Sequence, residues 1–155
     1  MKLSLRGEYA LRALIALGES YDGEVVPMQA VSQQQEVPKR FLEQILNDLR
    51  AGGFVESKRG IAGGYRLARP ADGITLAQVI RHIEGTLTAP SPDLSRKPPK
   101  LNAEAGGAQL AIRAVMKDVR EAILKVLDGV TLADLCEQAH QLRDQRLATS
   151  PDYTI

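Results

Sequence analysis

The apolar positions of this chain fall into six runs at helical spacing, interrupted once by two short runs that alternate. Tyr9, Ala10, Ala13, Leu14 and Leu17 recur by threes and fours and predict a helix over residues 1–20, with Ser4 as its N-cap. Leu11 and Ile15 widen the stripe, so this helix is expected to be contacted on more than one side. A turn at 21–26, marked by Asp22-Gly23, leads to Pro27, which opens a short helix over 27–34 with Met28 and Val31 inward. After a second turn at 35–37, Pro38 opens a helix that runs to 51. Its apolar face is Leu42, Ile45, Leu46 and Leu49, and its other face carries Lys39, Arg40, Glu43, Gln44 and Asn47. Two short helices joined by about three residues make a helix-turn-helix.

Gly52-Gly53 ends the third helix. Residues 54–58 and 65–68 then alternate as strands around RGIAGG at 59–64, whose glycines suit a tight hairpin. The pair reads as the wing of a winged helix. Thr75 and Gln78 form a capping box for a fourth helix over 75–84, with Leu76, Val79, Ile80 and Ile83 as its buried stripe and Gly85 as its end. Periodicity is lost over 86–107, where Pro90, Pro92, Pro98 and Pro99 mark a linker. The longest helix is expected over 108–128. Its seam of Ala108, Ile112, Val115, Val119, Ile123 and Val126, widened by Met116, Leu124 and Leu127, resembles a coiled-coil face. Such a face after a linker suggests dimerisation, although an intrachain packing helix would show the same seam. Gly129 ends it. Thr131 and Asp134 cap a last helix to about residue 146, with Leu132, Leu135, Ala139 and Leu142 inward, before a frayed tail at 148–155.

The fold class is therefore mostly α with a small β-hairpin. A winged helix-turn-helix DNA-binding domain spans 1–85, a Pro-rich linker 86–107, dimerisation helices 108–147 and a flexible tail 148–155. The 155 residues suffice for a core without disulfides, and a single cysteine, Cys136, excludes an intrachain one. Arg6, Glu8 and Arg12 interrupt the one stretch that resembles a signal peptide, and no run approaches membrane-span length, so a cytoplasmic protein without a membrane partner is expected.

Net charge is only +1, but its distribution is uneven: residues 38–69 carry seven basic and three acidic side chains. That local excess attracts phosphate, although a solvated charged face would look the same. Aromatic residues make up 4% with no Trp, which disfavours modules that bind single strands by base stacking. The chain shows no carboxylate pair, no nucleophile–base set and no P-loop, since RGIAGG lacks the GK[ST] ending and does not lead into a helix. No enzyme, metal site or cofactor is expected.

With these residues in place, the chain resembles the Rrf-type winged helix-turn-helix regulators, the family of IscR, NsrR and CymR. MKLSLRGEYA is similar to the family's opening, FLEQILNDLR to its recognition helix, and VESKRGIAGGYRLAR to its wing. The likeness is strong over residues 1–85 and extends in layout to the end. It implies a homodimeric transcription regulator, a repressor by preference, on pseudo-palindromic promoter DNA. It places Ser4 and Arg6 near the DNA backbone, and Lys39, Arg40, Glu43 and Gln44 in the major groove. It places Arg59 in the minor groove, with Lys58 beside it and Gly60, Gly63 and Gly64 shaping the wing. Arg40 suits guanine O6/N7 and Glu43 suits cytosine N4. Ile112, Val115, Val119, Ile123 and Val126 are the expected dimerisation residues.

Two departures stand out. Glu36 occupies a turn position where the family often has Gly, which allows a different turn angle. Cluster-binding members carry three close cysteines before the long helix, whereas 86–107 here holds none. An iron–sulfur cluster of that kind cannot be carried over, and the effector, small molecule or protein, is left unidentified. Cys136 is the one candidate redox thiol, with a buried inert thiol as the plainer reading. His140, Glu137 and Asp144 share a helix face at ligand-like spacing, but a solvated face explains them better. His82, beside an apolar stripe, reads as structural. From another class of function, a winged-helix protein–protein adaptor remains the alternative, and the basic residues at 39, 40 and 59 argue against it.

Overall fold

A computed structural model describes residues 2–20, 23–85 and 102–149. Residues 86–101 of the expected 86–107 linker, residues 150–155 of the expected 148–155 tail and part of the first turn lie outside the described residues. The element order is α1 (Leu5–Gly18), α2 (Met28–Gln35), α3 (Lys39–Ala51), β1 (Val55–Lys58), β2 (Gly64–Leu67), a 3-10 turn (Ala71–Gly73), α4 (Leu76–Glu84), α5 (Ala103–Asp128) and α6 (Leu132–Thr149). The mostly helical winged fold with one antiparallel hairpin is the expected one.

Each winged-unit helix begins and ends where its local chemistry directs. The Ser4 hydroxyl accepts from the Gly7 amide at 3.0 Å and starts α1. Thr75 and Gln78 close the capping box that starts α4. Pro27 and Pro38 sit just outside α2 and α3. Between those two helices, Glu36 is in the left-handed region at φ 52°, and among the described residues no other non-glycine has a positive φ. The turn thus keeps the geometry a glycine would give and strains a glutamate to do so. Arg12 steadies it by donating to the Gln35 carbonyl, one of the carbonyls that α2 leaves unpaired at its end. Glu36→Gly is expected to raise stability by about 1 kcal/mol, since left-handed geometry costs a Cβ-bearing residue roughly that much. Thermal unfolding would read this as a gain of about 2–4 °C; no gain would mean that the turn relaxes in solution.

The core is assembled where these helices converge. Ala10, Ala13, Leu14 and Leu17 of α1 meet Val31 of α2, Leu42, Ile45, Leu46 and Leu49 of α3, and Val79 of α4. Leu42, Leu46 and Leu49 are fully buried, each contributing about 1.5–3 kcal/mol by area, an upper bound against an already compact unfolded chain. Their burial fixes the rotation of α3 about its axis and so decides which of its side chains face out. His82 bears out its structural reading: Nε2 lies 2.7 Å from the Asp48 carbonyl, and the ring tilts against Phe54.

The long helix departs from expectation at its start. α5 begins at Ala103, five residues before the predicted Ala108, because the Asn102 side chain accepts from the Ala105 amide and supplies a cap. Gly106 and Gly107 are carried inside the helix at a cost of about 1 kcal/mol each relative to Ala. At 26 residues α5 spans about 39 Å. Its far end is tied to the winged unit. Arg81 pairs with Asp128 at 3.2 Å, Leu76 N–H donates to the Val130 carbonyl at 2.9 Å, and Leu132 N–H donates to the Ile74 carbonyl at 2.8 Å. The rest of the helix stands clear. Leu110, Ile112, Val115, Met116, Val119 and Val126 are 44–67% exposed, whereas Ile123, Leu124 and Leu127 are half-buried near the α4 junction.

Helix α6 starts as predicted, with Thr131 and Asp134 capping reciprocally. The Thr131 amide and hydroxyl hold the Asp134 carboxyl below its usual range. A folded pKa below the unfolded one adds stability at neutral pH, which is lost as pH falls through the folded value. Leu132 is buried and Cys136 packs on α1, but Leu142 is 57% exposed and not inward as predicted. α6 outruns the surface that α1 offers. It continues to Thr149, past the predicted end near 146, and is braced on α1 by Arg143–Glu19 at 2.6 Å.

Candidate nucleic-acid interface

With Leu42, Ile45, Leu46 and Leu49 turned inward, 100° per residue puts Lys39, Arg40, Glu43, Gln44 and Asn47 on the open side of α3, and all five are exposed. Two of them are held. Lys39 Nζ donates to Gln29 Oε1 of α2 at 2.9 Å, and the Arg40 guanidinium lies over the Phe41 ring, 4.6 Å from its centroid. Stacking restricts Arg40 before any ligand arrives, which lowers the entropy lost on contact.

The wing is a hairpin of four residue pairs in the register Val55↔Leu67, Glu56↔Arg66, Ser57↔Tyr65 and Lys58↔Gly64. Val26 adds a rung on its other edge: its N–H donates to the Tyr65 carbonyl at 2.8 Å, and its carbonyl accepts from Tyr65 N–H at 2.9 Å. The chain entering α2 is therefore stitched to the wing. Gly64 is what allows it, because a Cβ there would collide with the Val26 carbonyl. Gly63 is also confined, somewhat less closely, against the Lys58 and Gly60 carbonyls. Arg50 at the end of α3 donates to Ser57 Oγ of β1 at 3.1 Å, so reading helix and wing are also joined directly. Lys58, in the last pair of the hairpin, and Arg59, just beyond it, both lie exposed.

Tertiary contacts redistribute the charge counted in the sequence. Arg66 is paired with Glu56 across the hairpin at 2.9 Å, and Arg6 of α1 takes Asp48. Arg69 is drawn over the Phe54 ring and bonds the Gly73 carbonyl and Gln78. The exposed charges around α3 and the wing with no ion-pair partner among the described residues are Lys39, Arg40, Arg50, Lys58 and Arg59, with Glu43 among them.

Ser4 and Arg6 are exposed at the start of α1, and both have internal partners. The Ser4 amide and hydroxyl donate to Glu84 Oε1 at 2.8 and 2.6 Å, and Arg6 pairs with Asp48. Glu84, Asp48 and Gln29 thus position groups at the candidate interface, and sequence reasoning missed all three. Their partners lie 80, 42 and 10 residues away along the chain, and no local pattern joins such positions. Phe41 was missed as well, although it is the aromatic beside the basic start of α3.

Cys136 lines an open groove between α6 and the ends of α1 and α2, with Glu19, His140 and Arg143. Its Sγ approaches the Ile15 carbonyl at 3.8 Å, in space left by Gly18. Burial, and then the Glu19 carboxylate, push the thiol from 9.0 up to about 11. At neutral pH that leaves a hundredfold less thiolate, partly offset by its greater nucleophilicity, so native Cys136 should react with an aromatic disulfide about tenfold more slowly than the unfolded chain. Equal rates would revive a redox role. Among the described residues, no three His, Cys, Asp or Glu side chains are grouped to hold a metal.

The sequence signature of the Rrf2 family, described as iron-dependent transcriptional regulators, matches residues 3–138. The chain belongs to the Rrf2 family. Its similarity to CymR of Bacillus subtilis (strain 168), an HTH-type transcriptional regulator, is 33% identity over 135 residues, covering 87% of this chain and 89% of CymR. The solved structure of B. subtilis CymR, described as the global cysteine regulator, superposes with a TM-score of 0.71 at 31% identity, covering 89% of this chain and 98% of that one. The structure of T. potens IscR superposes at 0.70 with 30% identity, covering 90% and 88%. This Rrf2-family regulator is accordingly a DNA-binding helix-turn-helix protein and not an enzyme. Among the described residues no donor set matches the iron in the family description. The chain has one cysteine, on α6 against α1, which does not fit a cysteine-ligated cluster. No described helix is long and apolar enough to cross a membrane.

Proposed function

We propose that this regulator acts as a homodimeric, sequence-specific repressor on pseudo-palindromic promoter DNA. The observation that carries the reading is the exposed surface formed by α3 and the wing, on which Lys39, Arg40, Arg50, Lys58 and Arg59, with Glu43 among them, remain after Arg66 and Glu56 have paired with each other and Asp48 has taken Arg6. In this reading the α3 face enters the major groove. Arg40, already stacked, donates to guanine, and Glu43 accepts from cytosine N4 while repelling phosphate where no cytosine stands. Lys39 and Gln44 complete that contact, and Lys58 and Arg59 follow the wing to the backbone and the adjacent minor groove. Ser4 and Arg6 lie nearest the backbone. Gly63 and Gly64 act by holding the wing in place.

Dimerisation follows from the exposed α5 seam, since a stripe of Ile112, Val115, Val119 and Val126 left in water is the kind of surface a second copy covers. Two copies would present two reading heads to two half-sites. The test is the salt dependence of binding to a duplex that the full chain selects from a randomised library. About 8–12 phosphate contacts per dimer predict a slope of log K against log salt of about −7 to −11. A slope near zero would overturn the reading in favour of a protein–protein adaptor.

A further inference from the structure

The most exposed large apolar side chain of the described residues is neither on α5 nor on α6. It is Ile61, at the tip of the wing, with a relative exposure of 111%. Turn tips are usually built from Gly, Asn, Asp, Ser and Pro, and a β-branched residue there gains nothing for the fold. Ile61 is nonetheless held in a defined place. The Gly63 amide donates to the Gly60 carbonyl at 3.0 Å, closing a turn with Ile61 and Ala62 as its central residues. The crowding at Gly63 locks the base of that turn, and the Glu56–Arg66 pair stiffens the hairpin below it.

We propose that Ile61 is an apolar reader of the DNA minor groove, working beside Arg59 and inserted by the wing. The proposal rests on the wing as a DNA-contacting element. Within RGIAGG only Arg59 and Ile61 have side chains larger than a methyl group. The tip is therefore thin enough for a groove about 6 Å wide, and carries one cation and one hydrocarbon group into it. Arg59 answers the negative potential of a narrow groove. Ile61 packs against the sugar walls or wedges at a base step, as apolar residues of minor-groove proteins do. Because the turn is already formed, little order is lost on insertion. The two residues divide the labour: Arg59 gives a salt-dependent attraction, and Ile61 a salt-independent one that senses groups on the groove floor.

The test uses the full chain and a duplex it selects from a randomised library, with Ile61→Ala and Arg59→Ala compared against the unchanged protein. Ile61 is fully exposed among the described residues, so its variant should unfold at the same temperature. Ile61→Ala is expected to weaken binding about tenfold with the salt slope unchanged. Arg59→Ala is expected to flatten the slope by about 1 per wing. Replacing adenine by 2,6-diaminopurine under the wing adds an amino group to the groove floor. That should weaken the unchanged protein more than Ile61→Ala. If Arg59→Ala lowers affinity while Ile61→Ala binds like the unchanged protein with and without diaminopurine, the inference about Ile61 fails and the wing reading stands. If neither variant alters binding, the wing reading fails as well. Unchanged DNA binding by Ile61→Ala with altered transcription in a purified system would overturn the inference in favour of a protein partner at the tip.

Discussion

On the proposed dimer, Val115→Glu combined with Val119→Glu should give a monomer that no longer holds its operator. Both positions sit mid-seam on α5, 60% and 44% exposed, and neither belongs to the core of the winged unit. In one chain the new carboxylates stay hydrated, and the helix should persist. In a dimer four carboxylates would be buried against apolar partners, at a cost of several kcal/mol even after relaxation, so the dimer dissociation constant should rise at least about 1,000-fold. Sedimentation equilibrium reads the mass, and circular dichroism confirms retained helix. Operator affinity should fall with the mass, because each monomer engages one half-site. A variant that remains dimeric would mean that another surface joins the two copies.

Gly64→Ala should be the most damaging single methyl in the winged unit. The added Cβ meets the carbonyl of Val26, which is backbone and cannot swing aside. Relief requires breaking the Val26–Tyr65 rung or displacing the hairpin. The expected loss is about 2–4 kcal/mol, from two broken hydrogen bonds and the crowding itself, with thermal unfolding lowered by several degrees. Operator binding should fall even below the unfolding range, since the rung sets the wing beside α2 and α3. Gly60→Ala is the contrasting case. A Cβ there meets open space, and only its left-handed φ of 111° is strained, so it should disturb the tip locally and leave the rung intact. Equal destabilisation by the two substitutions would contradict the rung as the anchor of the wing.

Most of the architecture was legible in the sequence because local rules wrote it. The stripe Leu42, Ile45, Leu46, Leu49, the Thr75–Gln78 box and the Ser4 cap each act within one or two turns of helix, and periodicity and side-chain chemistry announce them. The solvent face of α3 followed from the same stripe, so the exposure of Lys39, Arg40, Glu43 and Gln44 was foreseeable as well. Where local signals conflicted, the reading slipped. Gly106-Gly107 looked like loop, yet the cap at Asn102 and the helix downstream carry them, as a nucleated helix tolerates weak residues. Leu142 fitted the apolar spacing of α6, but spacing cannot tell where the partner surface ends.

Sequence alone, then, determined the elements, the faces they present and the family. It also removed the cysteine-bound cluster, because ligand identity is a matter of composition. Only the tertiary structure decided which of the seven basic residues from 38 to 69 are left for a partner. Ion pairing depends on distances between residues far apart in the chain, and folding spent Arg66 on Glu56 and Asp48 on Arg6 while leaving Arg40 stacked and Arg59 open. It also decided that Glu36 takes a glycine's conformation, that Gly64 guards a seam with Val26, and that Ile61 stands alone at the wing tip. Periodicity specifies which way a side chain points; only the assembled fold specifies what it meets there.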